Sequence, residues 1–200
     1  WPVLFINMVL ADDPQTVSLA VEQLNNLANN GQPDAVRLNA LRTIGTTLYE
    51  LGDYEQAAQI WELALQMFPN DFEVSNNLAY TLVEHLGRPE EGLEHALRAV
   101  QGVPRSASVN DTVGWAYFKT GDVEQAQAYL LRAARLSRDA GEQATIVVHI
   151  IEVEIHLGNR VAAERFLNYL RRVIDESPWI GEGIKTVADG LEERINSLPS

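Results

Sequence analysis

Cysteine is absent from the 200-residue chain. That removes disulfides, thiolate nucleophiles and Cys-based metal sites, and it leaves the compartment open, because reducing and oxidising surroundings both tolerate a Cys-free chain. Cations are scarce: 15 Lys and Arg stand against 28 Asp and Glu, a formal charge of −13. A reader of phosphate backbones needs clustered Lys and Arg to release counterions, so nucleic acid is not an expected partner. The opening apolar run WPVLFINMVLA has about half of the roughly 20 residues that a spanning helix requires, and it lacks the basic flank of a signal peptide. Direct membrane insertion is not expected. No Gly-rich phosphate loop, nucleophile with a paired base, or carboxylate pair stands out. The chain therefore reads as non-catalytic and without a cofactor. It opens at Trp1 with no initiator Met and is read as a piece of a longer protein, so a targeting segment would lie outside it.

What is present is an apolar content of 46 % arranged with helical period. The clearest stretch, Leu38 to Asp71, holds Leu41, Ile44, Gly45 and Leu48, then Tyr54, Ala57, Ala58, Trp61, Ala64 and Leu65, broken only at Leu51-Gly52-Asp53. That pattern predicts a helix, a tight turn and a second helix. Gly52 can take the left-handed conformation that ends a helix, Asp53 can cap the next, and Pro69 closes the unit. Gly45 and Ala57 are the smallest residues on the two facing stripes, so the helices are expected to cross there while Tyr54 and Trp61 fill the wider ends.

The stretch recurs. Leu78-Ala79 and Leu82 precede Gly87, and Val113-Gly114 and Tyr117 precede Gly121; Gly52, Gly87 and Gly121 are 35 and 34 residues apart. A fourth copy ends its first helix at Gly158, 37 residues on, with the extra length assigned to the polar joint Ser137 to Gly141. There Ile151 and Glu154 replace a small residue and an aromatic. Upstream, Ala20, Leu24 and Leu27 fall in phase as a degenerate copy. Ser177-Pro178 is expected to start a last helix whose stripe Ile180, Ile184, Val187, Ala188, Leu191 and Ile195 opposes a charged face, which suits an end cap.

The spacing of Leu41, Ile44, Gly45, Leu48, Ala57, Trp61 and Pro69 resembles the tetratricopeptide repeat signature, with leucines in place of its usual aromatics. The resemblance implies an all-α fold, a right-handed superhelical solenoid of antiparallel helix-turn-helix hairpins with a C-terminal capping helix. The divisions read from the phase are 1–37 (degenerate), 38–71, 72–106, 107–140, 141–176 (divergent) and 177–200 (cap), all in one solenoid. It also implies a concave groove, lined by the first helices, that takes a protein or peptide partner. Carried over by position, groove residues are Arg42, Thr46 and Tyr49, then Asn76, Asn77 and Tyr80, then Asp111, Trp115 and Phe118. The carboxylate clamp found in chaperone adaptors of the family is not expected, because Thr46, Ser108 and Thr112 fill sites where cations or amides are needed.

Tyr49, Tyr80, Trp115 and Phe118 lie off the stripe that packs each hairpin. Either they are interface aromatics, or they pack between adjacent repeats. Asn76 and Asn77 could hold a peptide backbone through paired amide hydrogen bonds, or simply be solvated at a helix start. His149, Glu152 and His156 share one helical face at a spacing that metal ligands can use, yet the zincin pattern is missing. The plainer reading is the wet side of an amphipathic helix. Arg160, Arg165, Arg171 and Arg172 make the fourth hairpin locally positive, either as a docking patch for an acidic partner or as a solvated face. Asn110-Asp111-Thr112 matches a glycosylation sequon that would sit on a helix. The leading expectation is a protein-binding scaffold; the second is self-association, as a homodimer, through Trp1, Val3, Leu4, Phe5 and Ile6.

Overall fold

The computed structural model describes residues 33–199, and among these every regular element is helical. In chain order the elements are α1 (Asp34–Glu50), α2 (Tyr54–Met67), α3 (Phe72–Glu84), α4 (Pro89–Gly102), α5 (Ala107–Thr120), α6 (Val123–Leu136), α7 (Ala140–His156), α8 (Arg160–Glu176) and α9 (Glu182–Asn196). The fold is all-α, built of repeated helical hairpins. The degenerate copy with Ala20, Leu24 and Leu27, and the apolar start at Trp1, Val3, Leu4, Phe5 and Ile6, lie outside the described residues.

Helix boundaries follow from local chemistry. Asp53, Asp71, Ser106, Asp122, Asp139 and Asn159 each accept a backbone N–H from the third residue on, satisfying a donor that the helix itself cannot. Each first helix ends at a glycine with positive φ: Gly52 (82°), Gly87 (64°), Gly121 (91°) and Gly158 (67°). Only glycine takes that conformation without a Cβ clash, so the 35, 34 and 37-residue spacing of glycines is also the spacing of turns.

The described residues divide into two compact units between His95 and Ala96, with α4 running across the division. In the first unit, Leu41, Ile44 and Leu48 of α1, Ala57, Trp61 and Ala64 of α2 and Val74, Leu78 and Leu82 of α3 form one buried cluster. The small-against-large arrangement differs from the expectation in one respect. Trp61 does not fill a wide end; its indole lies on Gly45, where a Cβ would come within 2.2 Å of Nε1. Arg42 ties the repeats together, with its guanidinium 2.5 Å from Asp71, the cap of α3, and 3.0 Å from Glu73.

In the second unit, Ala126, Leu130 and Ala133 of α6 pack with Ala107 of α5 and with Ile146, Ile150 and Val153 of α7. A further cluster joins Ala144, Val147 and Ile151 to Ala163, Leu167 and Leu170 of α8 and to Ala188, Leu191 and Ile195 of α9. Two expectations need correction here, and one substitution finds its explanation. The extra length of the fourth copy is helix, because α7 runs 17 residues where α5 runs 14. Glu154 is accommodated by amide donors, Gln127 Nε2 at 3.0 Å and Asn159 Nδ2 at 2.8 Å, so a buried carboxylate replaces the aromatic without being left unpaired. The last helix starts at Glu182, not at Ser177. Ser177 instead closes α8 and accepts from Ile180 N at 2.9 Å, a turn that tucks Ile180 into the core.

Candidate functional site

In the first unit the expected groove residues lie on two first helices. Arg42, Thr46 and Tyr49 follow at four and three residues along α1, one face by helical period, and Asn76, Asn77 and Tyr80 lie along α3. Their environments differ. Arg42 is committed to Asp71 and Glu73, while Thr46 is exposed and Asn77 half-buried. The Asn76 side-chain oxygen is buried and meets no hydrogen-bond donor. A buried amide acceptor without a donor is costly, so it is a place that gains from an incoming N–H or a water.

Tyr49 and Tyr80 are brought together, their rings 6.5 Å apart, in a cluster that reasoning from the sequence missed. Tyr49 is its hub. Tyr54, from the start of α2, meets it edge-on at 5.3 Å, and His85, the residue closing α3, meets it edge-on at 5.4 Å. His85 in turn stacks on Tyr54 with ring planes 2° apart at 3.7 Å. The Tyr49 hydroxyl is 3.1 Å from His85 Nε2 and donates to it when the imidazole is neutral with its proton on Nδ1. Desolvation holds His85 below its ordinary value of 6.5, against the pull of nearby Glu84, and burial with the charges of Tyr54 and Glu84 pushes the Tyr49 phenol up. All four rings remain partly exposed. These aromatics therefore have partners between repeats, and they also present a surface.

In the second unit Asp111, Trp115 and Phe118 lie on one face of α5, again at four and three residues. Here the face is largely filled from within. Asp111 is buried, with Oδ1 2.9 Å from His149 Nδ1 on α7, and Trp115 stacks on the same imidazole at 4.2 Å. Phe118 lies 5.2 Å from Trp115 and takes His156 edge-on at 5.4 Å, while the Lys119 ammonium sits 4.5 Å over the Trp115 ring.

The residues singled out as candidate metal ligands have other occupations. His149 is buried on Asp111 and Trp115, so the wet-face reading fails for it; a sequence periodicity cannot see a partner 38 residues away. Glu152 is held by both terminal nitrogens of Arg194, and His156 lies against Phe118. Among the described residues no group of three or more His, Asp or Glu is placed to hold a metal ion. The sequon is structural as well: Asn110 is fully buried, with Nδ2 donating to Pro104 O at 3.1 Å and Ser106 O at 2.6 Å. On α8, Arg160 pairs with Glu164 and Arg171 with Glu192, whereas Arg165 and Arg172 lie on their neighbours Phe166 and Tyr169.

Comparison with known proteins bears on all of this. Family models of the tetratricopeptide repeat match residues 42–107 and 107–139. The chain belongs to the tetratricopeptide repeat family. A TPR repeat-containing thioredoxin of Arabidopsis thaliana, TTL4, is 27 % identical over 152 residues, which is 76 % of this chain. The chain spans about a fifth of that relative, 20 % of its length. Among solved structures, a thermophilic TPR protein of Thermus thermophilus, TTC0263, is similar at a TM-score of 0.66 and 26 % identity, over 77 % of this chain and 80 % of that one. MamA from Desulfovibrio magneticus RS-1 is similar at a TM-score of 0.66 and 19 % identity, over 88 % and 96 %. Tetratricopeptide repeat proteins generally serve as non-catalytic scaffolds with protein partners, and this chain has their fold.

Proposed function

We propose that this tetratricopeptide repeat protein is a binding scaffold that holds an extended segment of a partner protein on the first-helix face of its first unit. The residues that would carry the contact are Thr46 and Tyr49 of α1 and Asn76, Asn77 and Tyr80 of α3, with Arg42 holding α1 to the cap of α3. The observation that most supports the reading is the conjunction on this face of partly exposed rings with a buried amide oxygen lacking a donor. Aromatic side chains bury large area at small entropic cost, and an unmet acceptor rewards a peptide N–H. In the second unit, Asp111 and Trp115 are occupied by His149 and are not among the contacts of this reading.

Within this reading the repeats are the hairpins over 38–71, 72–106, 107–140 and 141–176, followed by the single helix of 177–200. The test is capture from the source organism's lysate on immobilised protein, comparing wild type with Thr46→Arg plus Asn77→Arg. Both substitutions lie on accessible positions, so the helical circular dichroism should be unchanged. The reading expects specific partners to be lost in the variant. Identical partner sets for the two proteins would remove it.

A further inference from the structure

Among the described residues the buried Asp, Glu, His, Lys and Arg side chains are Asp111, His149 and Glu154. Asp111 and His149 pair with each other. Glu154, 6 % exposed, is met by neutral amides instead, Gln127 Nε2 on Oε1 and Asn159 Nδ2 on Oε2. Its hydrogen bonds are made, but among the described residues no Lys, Arg or His lies within ion-pair distance to balance its charge. Arg160, close by in sequence, is turned to Glu164 and to the Leu198 carbonyl. Packing does not ask for a carboxylate here. Taking Gly45, Ala79, Gly114 and Ile151 as equivalent, the residue three positions on is Leu48, Leu82 and Tyr117 in the earlier hairpins and Glu154 in this one. A buried carboxylate is ordinarily matched by a cation, and this one is matched by none of its own chain.

Glu154 also lines a cleft between α6 and α7. Gln127, Leu130 and Leu131 of α6 line it with Ile150 and Val153 of α7. The free space is about 10 Å³, enough for one water-sized group, and Leu131 is 40 % exposed, so the cleft reaches the surface. Cations differ in how they suit this shape. A guanidinium is a broad planar fork and does not fit. A metal ion such as calcium needs a shell of oxygens, whereas the walls here are aliphatic apart from Gln127 and Glu154. A primary ammonium is compact, and it can donate to the carboxylate lone pairs that Gln127 and Asn159 leave free. The methylenes that carry it would lie along Leu130, Leu131, Ile150 and Val153.

We propose that this cleft takes the ε-ammonium of a lysine on a partner protein, with Glu154 as its counter-charge and the aliphatic walls holding its stem. The chain's own two lysines lie elsewhere, Lys119 over the Trp115 ring and Lys185 2.6 Å from Glu182. The site belongs to the second unit and does not depend on which residues of the first unit hold a partner.

The test is an NMR titration of the full, isotope-labelled chain with the peptide acetyl-Gly-Gly-Lys-Gly-Gly-amide and with its Nε-acetyllysine counterpart, which keeps the stem and loses the charge. n-Butylammonium is titrated as a free amine. The expected result is saturable shifts of the Leu130, Leu131, Ile150 and Val153 methyls and of the Gln127 and Asn159 side-chain amides with the lysine peptide and with butylammonium, and none with the acetyllysine peptide. Glu154→Gln should weaken the lysine peptide at least about tenfold, and Glu193→Gln less than about twofold. The second variant makes the same change in net charge at an exposed position of α9. Leu131→Lys keeps the test open should Glu154→Gln fail to fold, because it offers the cleft an ammonium in cis. It should abolish peptide binding and melt higher than Leu131→Met, whose long side chain is neutral. Absence of saturable shifts with the lysine peptide, equal binding of the acetyllysine peptide, equal weakening by Glu154→Gln and Glu193→Gln, or identical behaviour of Leu131→Lys and Leu131→Met would overturn the proposal. Binding of butylammonium without the lysine peptide would overturn the lysine occupant and leave a site for free amines.

Discussion

The indole of Trp61 occupies the space that a side chain on Gly45 would need, with Nε1, Cε2 and Cδ1 all within 2.7 Å of where a Cβ would stand. Trp61 is buried, and the helices α1 and α2 meet through this contact. Gly45→Ala should force a shift and cost about 1 to 3 kcal/mol, the range for overpacking, and Trp61→Ala about 3 to 5 kcal/mol through the cavity it leaves. The two effects should not add. In the Trp61→Ala background Gly45→Ala should cost almost nothing, and urea denaturation of the four proteins checks this; strict additivity would place the indole elsewhere.

Ala57 of α2 is fully buried in the same cluster, and the sequence pattern expects the helices to cross there. Ala57→Leu should lower stability by about 1 to 3 kcal/mol, whereas Glu62→Ala on the same helix should change it by less than about 0.5. An unchanged melting curve for Ala57→Leu would show that α2 does not cross its neighbours at this residue.

The buried Asp111 and His149 pair joins α5 to α7 at 2.9 Å. Asp111→Ala leaves the imidazole Nδ1 without a partner and should cost about 1 to 3 kcal/mol. Asp111→Asn should recover part of that loss, because its amide oxygen can still accept from Nδ1–H. Chemical denaturation gives the order of the three proteins; Asn and Ala variants of equal stability would mean that the hydrogen bond contributes nothing.

His85 supplies a pH dependence with a definite sign. Desolvation lowers its pKa in the folded protein below the ordinary 6.5, so folding favours the neutral ring. That contribution is complete above the unfolded value and is lost as pH falls through the folded one. Between pH of about 7.5 and 5, wild type should therefore lose more stability than His85→Gln. An NMR titration should place His85 below a histidine in an unstructured peptide. A value above it would contradict the stack on Tyr54 and the hydrogen bond from Tyr49.

How far the sequence revealed these features depends on the range of each interaction. The turn glycines, the aspartate caps and the small residues at helix crossings act within a few residues of themselves, and periodicity alone locates them. The ring cluster was legible only in part: Tyr49 and Tyr80 stood off the packing stripe without an assigned partner and Tyr54 stood at the start of one, while His85, at the end of a helix, belongs to no apolar stripe. Pairings such as Asp111 with His149 and Glu152 with Arg194 join residues 38 and 42 apart on different helices. They turn a supposed solvent face into a buried or paired one. Ser177-Pro178 misled for a local reason: serine before proline is a good helix start, but Ile180 gains more by entering the core of the second unit.

Site-specific photo-crosslinking tests the scaffold most directly. A photoreactive residue is placed in turn at Thr46 and Asn77 on the first helices and at Gln59 and Gln66 on the exposed side of α2, and each protein is irradiated in lysate of the source organism. The account predicts a common protein adduct from Thr46 and Asn77 and none from Gln59 or Gln66. Adducts from α2 alone, or from all four positions alike, would contradict it.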